Sequence, residues 1–220
     1  NAIRDLLQMK VDTAALLPQD DASEGFDNIA AGLGFSPALI QGYVAAAMKI
    51  SRWAVGDMSA TESSASYQNS PDLTQSRHLE GMPLGTRGGL LVEHNFPLDA
   101  EYDFLVRGGL GFGRSSSTAV NITLDGHTLQ PVNTRRFRLP VSAGKHRMTA
   151  AVVDLLKPGG VNDIYSVYDP GNGIESVEII GPFNATGPGD TASRRQIFSC
   201  YPQNNDEERR CAEQIVTSVA

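Results

Sequence analysis

Residues 137–152 read FRLPVSAGKHRMTAAV, and this stretch decides the fold. Phe137, Leu139 and Val141 alternate with Arg138 and Pro140, Ala143-Gly144-Lys145 supplies a turn, and His146, Met148, Ala150 and Val152 resume the alternation. A period of two is the signature of a strand with one buried face, and two such runs joined by a glycine turn read as an antiparallel pair. The same pattern spreads outward in both directions. Upstream lie Leu90, Val92, His94 and Phe96, then Tyr102, Phe104 and Val106, then Val120, Ile122 and Leu124; downstream lie Val177 and Ile179. Asp125-Gly126 adds a hairpin signal directly after Leu124. Strands with one apolar face and no intervening helices must bury that face against a second sheet, so the sequence predicts an antiparallel, jelly-roll-like β-sandwich. Its core is expected to hold Val120, Ile122, Leu124, Phe137, Leu139, Met148, Ala150 and Val152, with Asn121, Thr123, Arg138 and Arg147 on the opposite phase.

The flanks change period. Ile3, Leu6 and Leu7 suggest a short amphipathic helix. Ser36-Pro37 is a helix start, followed by Leu39, Ile40, Tyr43, Val44, Ala47, Ile50 and Ala54 at spacings of three and four until Gly56. Residues 59–75 turn to Ser, Thr, Asn and Asp and read as a linker or an irregular first strand. From about Glu207 the chain is helical again. The expectation is therefore mainly β with helical ends: a small N-terminal helical domain over 1–57, the sandwich over 58–186, and a partial C-terminal helical segment over 187–220. The segment either packs on the sandwich or begins another domain.

Composition narrows the function classes. Of 220 residues, 40% are hydrophobic and 20% charged, with 22 glycines and 12 prolines, a globular and turn-rich profile rather than a disordered or coiled-coil one. The formal net charge is −7 and no basic stripe is present, so nucleic acid is not an expected partner. No apolar stretch approaches the roughly 20 residues that span a bilayer, so no transmembrane segment is expected. The opening Asn1-Ala2-Ile3-Arg4 lacks the charged and apolar regions of an export signal and starts inside a helix, as in a mature or excised fragment.

Chemistry-bearing motifs are sparse. Cys200 and Cys211 are too far apart for CxxC redox chemistry and form no CxxCH, so this chain holds no covalent haem. The pair reads as a local disulfide, which would imply export, or as two separate buried thiols; the absence of a nearby His argues against a metal site. His94 and His146 fall on the inward phase, where a hydrogen-bonded core or rim histidine competes with a catalytic one. No GxSxG elbow or P-loop is present, and Gly108-Gly109-Leu110-Gly111-Phe112-Gly113 leads to serines rather than to a helix. Between Asn162 and Asn172, Asp163, Asp169 and Asn172 offer hard oxygen ligands for calcium, and Tyr165 and Tyr168 offer stacking surfaces for a sugar. Ordinary turn chemistry accounts for the same Asp-Pro-Gly-Asn-Gly string.

Longer strings carry a resemblance. Asn1-Ala2-Ile3-Arg4-Asp5-Leu6-Leu7, Leu16-Leu17-Pro18-Gln19-Asp20-Asp21 and Gly25-Phe26-Asp27-Asn28 resemble the short helical domain of unknown function in large exported proteins of planctomycetes and related bacteria. Gly81-Met82-Pro83-Leu84-Gly85-Thr86-Arg87 and Ile180-Gly181-Pro182-Phe183-Asn184-Ala185-Thr186-Gly187-Pro188-Gly189-Asp190-Thr191 are similar to the same proteins. Ala100-Glu101-Tyr102, Leu124-Asp125-Gly126 and Ala143-Gly144-Lys145-His146 are similar to calcium-dependent carbohydrate-binding jelly rolls. The resemblance implies a multidomain, exported protein, periplasmic or extracellular, in which c-type cytochrome domains carry haem c and act as redox partners; it carries over no catalytic residue. The leading expectation is a non-catalytic binding or scaffolding region, with polysaccharide as ligand and calcium as cofactor. One rival is the substrate-binding part of a periplasmic oxidoreductase, which would gather perturbed titratable groups in one pocket. Another is a structural subunit packed on a membrane redox complex, which would expose a large apolar patch.

Overall fold

The computed structural model of the chain describes residues 2–11, 16–17, 37–71, 73, 75, 78–84, 86–108, 119–129, 136–153 and 173–219. Along the chain run α1 (Ala2–Leu7), α2 (Pro37–Val55), β1 (Ser63–Gln68), β2 (Arg87–Phe96), β3 (Asp99–Gly108), β4 (Ala119–Leu124), β5 (His127–Leu129), β6 (Arg136–Val141), β7 (Gly144–Val153), β8 (Ile174–Gly187), α3 (Ala192–Ile197) and α4 (Asn205–Val219). Two compact units result: residues 61–186, and residues 1–60 together with 187–220.

The first unit is the expected sandwich. One sheet has the order β1-β8-β3-β6 and the other β2-β7-β4-β5. Both are antiparallel, with Leu90 and Ile122 flanking Ala150 from either side and Phe104 opposite Phe137. The core is aromatic. Phe96 packs edge-on against Tyr102 at 4.6 Å between ring centroids, and Phe104 stacks on Phe137 at 5.3 Å. Phe96, Leu98, Phe104, Ala150, Ile174 and Val177 have no exposed surface, and each buried aromatic or large aliphatic side chain contributes about 1.5–3 kcal/mol by leaving water. The Tyr102 hydroxyl stays satisfied by donating to Leu98 O at 3.0 Å, and burial pushes its phenol pKa up.

The predicted phase holds at Ile122, Phe137, Met148 and Ala150, all buried, while Val120, Leu124 and Leu139 are half-buried and the Val152 side chain lies outside the described residues. Thr123 corrects the simple in-and-out picture. It is on the opposite phase as expected, yet only 4% exposed, and its neighbours Thr149 and Ala151 on that outer face are buried too. At neighbouring β2, buried Met82 lies against Gly89, and Gly81 lies against Leu91, the residue paired with Thr149. The paired hydroxyls of Thr123 and Thr149, 2.6 Å apart, meet each other's hydrogen-bonding need in this buried setting.

Gly88 and Gly89 form the bulge that shifts the β2–β7 register between Arg87 and Leu90. Both have positive φ, +61° and +104°, and a Cβ at Gly88 would collide with Gln75. That closeness has a use. The Gln75 amide accepts from Gly89 N at 3.0 Å and Ile174 N at 2.9 Å and donates to Ile174 O at 2.8 Å; Asn69 donates to Gly89 O and Ile174 O. Two side-chain amides thus tie the start of β8 in one sheet to the bulge of β2 in the other.

The helical unit is built from both ends of the chain. Met9, Ile50, Ala54 and Ile197 form its buried cluster, flanked by Ile3, Leu7, Val11, Leu16, Trp53, Phe198 and Ile215. On α2 the buried stripe is Ala46, Ile50 and Ala54, a strict spacing of four. Ile40, Tyr43 and Val44 share the expected helical period but are 40–53% exposed, because the apolar surface of α2 is wider than the face its partners cover. Helix α3 is not among the elements the sequence predicts. Its cap is Thr191, whose hydroxyl accepts from Arg194 N at 3.2 Å. Asn204 caps α4 by accepting from Glu207 N, while Glu207 reaches back to Gln203 N.

Candidate functional site

Antiparallel pairing brings two turns to one end of the sandwich. Leu124 opposite Met148 places Asp125 beside Arg147, and His94 sits opposite His146. Both histidines take the inward phase, as expected. Tyr67 Oη and His94 Nδ1 are hydrogen-bonded at 2.8 Å, and Phe96 packs edge-on against both imidazoles at 4.6 and 5.5 Å. Burial first, and then the neighbouring His146, hold His94 down to about 4. His146 faces a different set of partners. Its Nδ1 lies 2.5 Å from Asp125 Oδ2 and its Nε2 3.4 Å from Ser142 Oγ. Asp125 is itself fixed, accepting from Arg147 N at 2.9 Å through its other oxygen. Burial would raise the Asp125 carboxyl, but the hydrogen bonds from Arg147 N and His146 outweigh it and leave the group below its usual range.

A second polar constellation occupies the outer face of β3 and β6. Phe104 and Phe137 point inward, so Asp103 and Arg138, one residue away on each strand, point out. Asp103 receives Arg138 Nε at 2.6 Å and Arg136 Nη2 at 2.8 Å. These hydrogen bonds, Arg138's first, hold its carboxyl down to about 2. The Arg138 guanidinium lies over the Phe183 ring with its carbon 3.9 Å from the centroid. Asn184 Nδ2 donates to Glu101 Oε2 at 2.6 Å on the same side. The result is a flat cation–aromatic stack bordered by carboxylates and a carboxamide.

The sequence-predicted site residues divide sharply. Asp163, Asp169 and Asn172, proposed for calcium, and Tyr165 and Tyr168, proposed for stacking, lie outside the described residues. Among the described residues, no group of three or more His, Cys, Asp or Glu side chains is placed to hold a metal ion. Cys200 and Cys211 form the disulfide, with Cα atoms 5.8 Å apart, which selects one of the readings left open above. The Ser142–His146–Asp125 arrangement was missed. Both of its turns were legible; their meeting at one edge follows from the β4–β7 register, which no local pattern announces.

Residues 1–56 match a known family model. Its description is "PSD3: Protein of unknown function (DUF1587)". The match covers the N-terminal part of the helical unit and lends no activity to it. No curated protein matches the chain. One similar solved structure is the "Native structure of a family 35 carbohydrate binding module from Clostridium thermocellum", at 11% identity, covering 54% of this chain and 90% of that chain, with a TM-score of 0.27. Among the described residues no helix is long and apolar enough to cross a membrane.

Proposed function

We propose that this chain is a binding or scaffolding region of a larger exported protein that also carries c-type cytochrome domains, and that its sandwich binds carbohydrate. The observation that supports the ligand class is the Arg138–Phe183 stack with Asp103, Glu101 and Asn184 around it. A sugar ring presents a flat C–H face and a rim of hydroxyls. A planar cation–aromatic surface suits the first, and carboxylates, guanidinium and carboxamide suit the second because they accept and donate in pairs. Affinity electrophoresis against a panel of soluble polysaccharides tests the reading. At least one should retard the wild-type chain, and Phe183→Ala should abolish that retardation without changing the melting temperature by more than a few degrees. Unaltered mobility across the panel would sink the carbohydrate assignment.

Calcium belongs to the same proposal, held by Asp163, Asp169 and Asn172 beside Tyr165 and Tyr168; calorimetric titration and a melt with and without chelator test it. Export is supported by the Cys200–Cys211 disulfide, since such bonds persist in oxidising compartments. For the helical unit, the scaffolding half has its own support: α2 presents Ile40, Tyr43, Val44 and Met48 along one exposed apolar stripe.

A further inference from the structure

We propose that Ser142, His146 and Asp125 form a hydrolytic relay in which Ser142 accepts the acyl group of a small ester. This goes beyond carbohydrate binding and does not rest on it. The connectivity is that of an activated serine: nucleophile to base at 3.4 Å, base to orienting carboxylate at 2.5 Å. With Nδ1–H donated to Asp125, the Nε2 lone pair is the one turned toward Ser142 Oγ. Asp125 cannot swing away easily, because Arg147 N holds its second oxygen. The turn carrying Ser142 is fixed in its turn by Ala143 N donating to Asp99 Oδ1 at 2.6 Å. His94 does not compete for these partners, since its Nδ1 is bonded to Tyr67.

The Asp125 turn is closed by Asp125 N donating to Arg147 O at 2.8 Å and Arg147 N donating back to the carboxylate, so the carboxylate that His146 meets is held from its own backbone. Access fits as well. Ser142 is exposed, the Asp125 side chain is 45% exposed, and His146 keeps 15% of its side-chain surface. Beside Ser142, Gly144 opens onto free space, with nothing within 4 Å of where a Cβ would stand. That open space leaves the approach to Ser142 Oγ unobstructed on the Gly144 side. The 3.4 Å separation is in the range that tightens when substrate is bound.

The chemistry balances. Ser142 Oγ bonds to the acyl carbon as its proton passes to His146 Nε2; the tetrahedral intermediate then breaks its bond to the alkoxy oxygen, and the departing alcohol takes that proton. Water next gives a proton to Nε2 and attacks the acyl carbon, the Oγ–carbon bond breaks, and the proton returns to Ser142. Ester and water become acid and alcohol, and Asp125 stays ionised throughout as a positioning residue.

The test is labelling with an alkyl fluorophosphonate followed by peptide mapping, beside hydrolysis of p-nitrophenyl acetate. The expected result is one adduct on Ser142, no adduct with Ser142→Ala, and labelling at least tenfold slower with His146→Gln. Asp125→Asn should lower kcat for p-nitrophenyl acetate at least tenfold with KM unchanged, and Asp125→Glu should restore part of the loss. Wild-type protein without a Ser142 adduct, or His146→Gln labelling at the wild-type rate, overturns the proposal. Should His146→Gln fail to fold, the wild-type adduct map and Ser142→Ala, which removes only an exposed hydroxyl, still decide.

Discussion

His94 shows how one side chain couples the packing of the sandwich to pH. It is held down to about 4 in the folded chain against 6.5 as the ordinary value, and burial is the larger cause. Among the described residues, the charge that bears on it is that of His146 opposite on β7, while the neutral Tyr67 hydroxyl from β1 hydrogen-bonds its Nδ1. Because the folded state resists protonation here, the unfolded state binds more protons between pH 6.5 and 4. Stability contributed by neutral His94 is therefore intact above 6.5 and is lost as pH falls through that window, by about 3 kcal/mol at about 1.4 kcal/mol per unit. Asp103, held down to about 2 by Arg138 and Arg136, acts in a separate window below 3.8, where protonation of its carboxyl costs the fold those two pairs. We expect the melting temperature of the sandwich to fall on the order of 10 °C between pH 7 and 4.5. His94→Gln, which cannot gain a proton there, should flatten that slope. A wild-type melting temperature unchanged across this range would show that His94 is not held neutral by the fold.

At the scale of elements, α4 depends on its link to the chain before it. Cys211 is its buried residue and Ile215 reaches the helical core, while most of its remaining surface is exposed. The disulfide spans a sequence separation of 11, and closing a loop of that size removes roughly 3 kcal/mol of unfolded-state freedom in the chain-entropy account. Replacing both cysteines by serine should lower the denaturation midpoint of the helical unit and reduce the helical circular dichroism signal. A double variant that matches wild type in both would mean that the Asn204 cap and Ile215 suffice. The elements themselves were largely legible, because burial on one face imposes a period. The runs around Ile122, Phe137 and Met148 gave β4, β6 and β7, and Ser36-Pro37 with Gly56 bounded α2. Strand β1 is one of the two readings the sequence leaves open for 59–75, because Ser63, Ala65 and Tyr67 on one phase are too weak an apolar signal to separate a first strand from a linker. What escaped has tertiary causes. The meeting of the Thr123 and Thr149 hydroxyls depends on the pairing of β4 with β7, and the Ser142–His146–Asp125 edge depends on the same register. Neither leaves a trace in local composition.

The molecule as a whole divides where the period of its sequence changes, but not into consecutive pieces. Residues 61–186 make one unit, and 1–60 with 187–220 make the other. The sandwich closes its own aromatic core and ties its two sheets through Gln75 and Asn69, so it should fold when expressed alone. Among the described residues, the core of the helical unit draws on both ends of the chain. Ile197, Phe198 and Ile215 come from the C-terminal segment and pack against Met9, Ile50 and Ala54. The first 60 residues on their own would leave that cluster open to water, and small helical pieces without a closed core are marginal at best. We therefore expect a 61–186 fragment to give dispersed amide resonances and a cooperative melt. Deleting 187–220 from the full chain should leave that melt in place while making α2 susceptible to limited proteolysis, because Ala46, Ile50 and Ala54 lose their cover. Protection of α2 in the truncated chain would instead mean that the match over 1–56 marks a unit stable without its C-terminal half, and that α3 and α4 only lean on it.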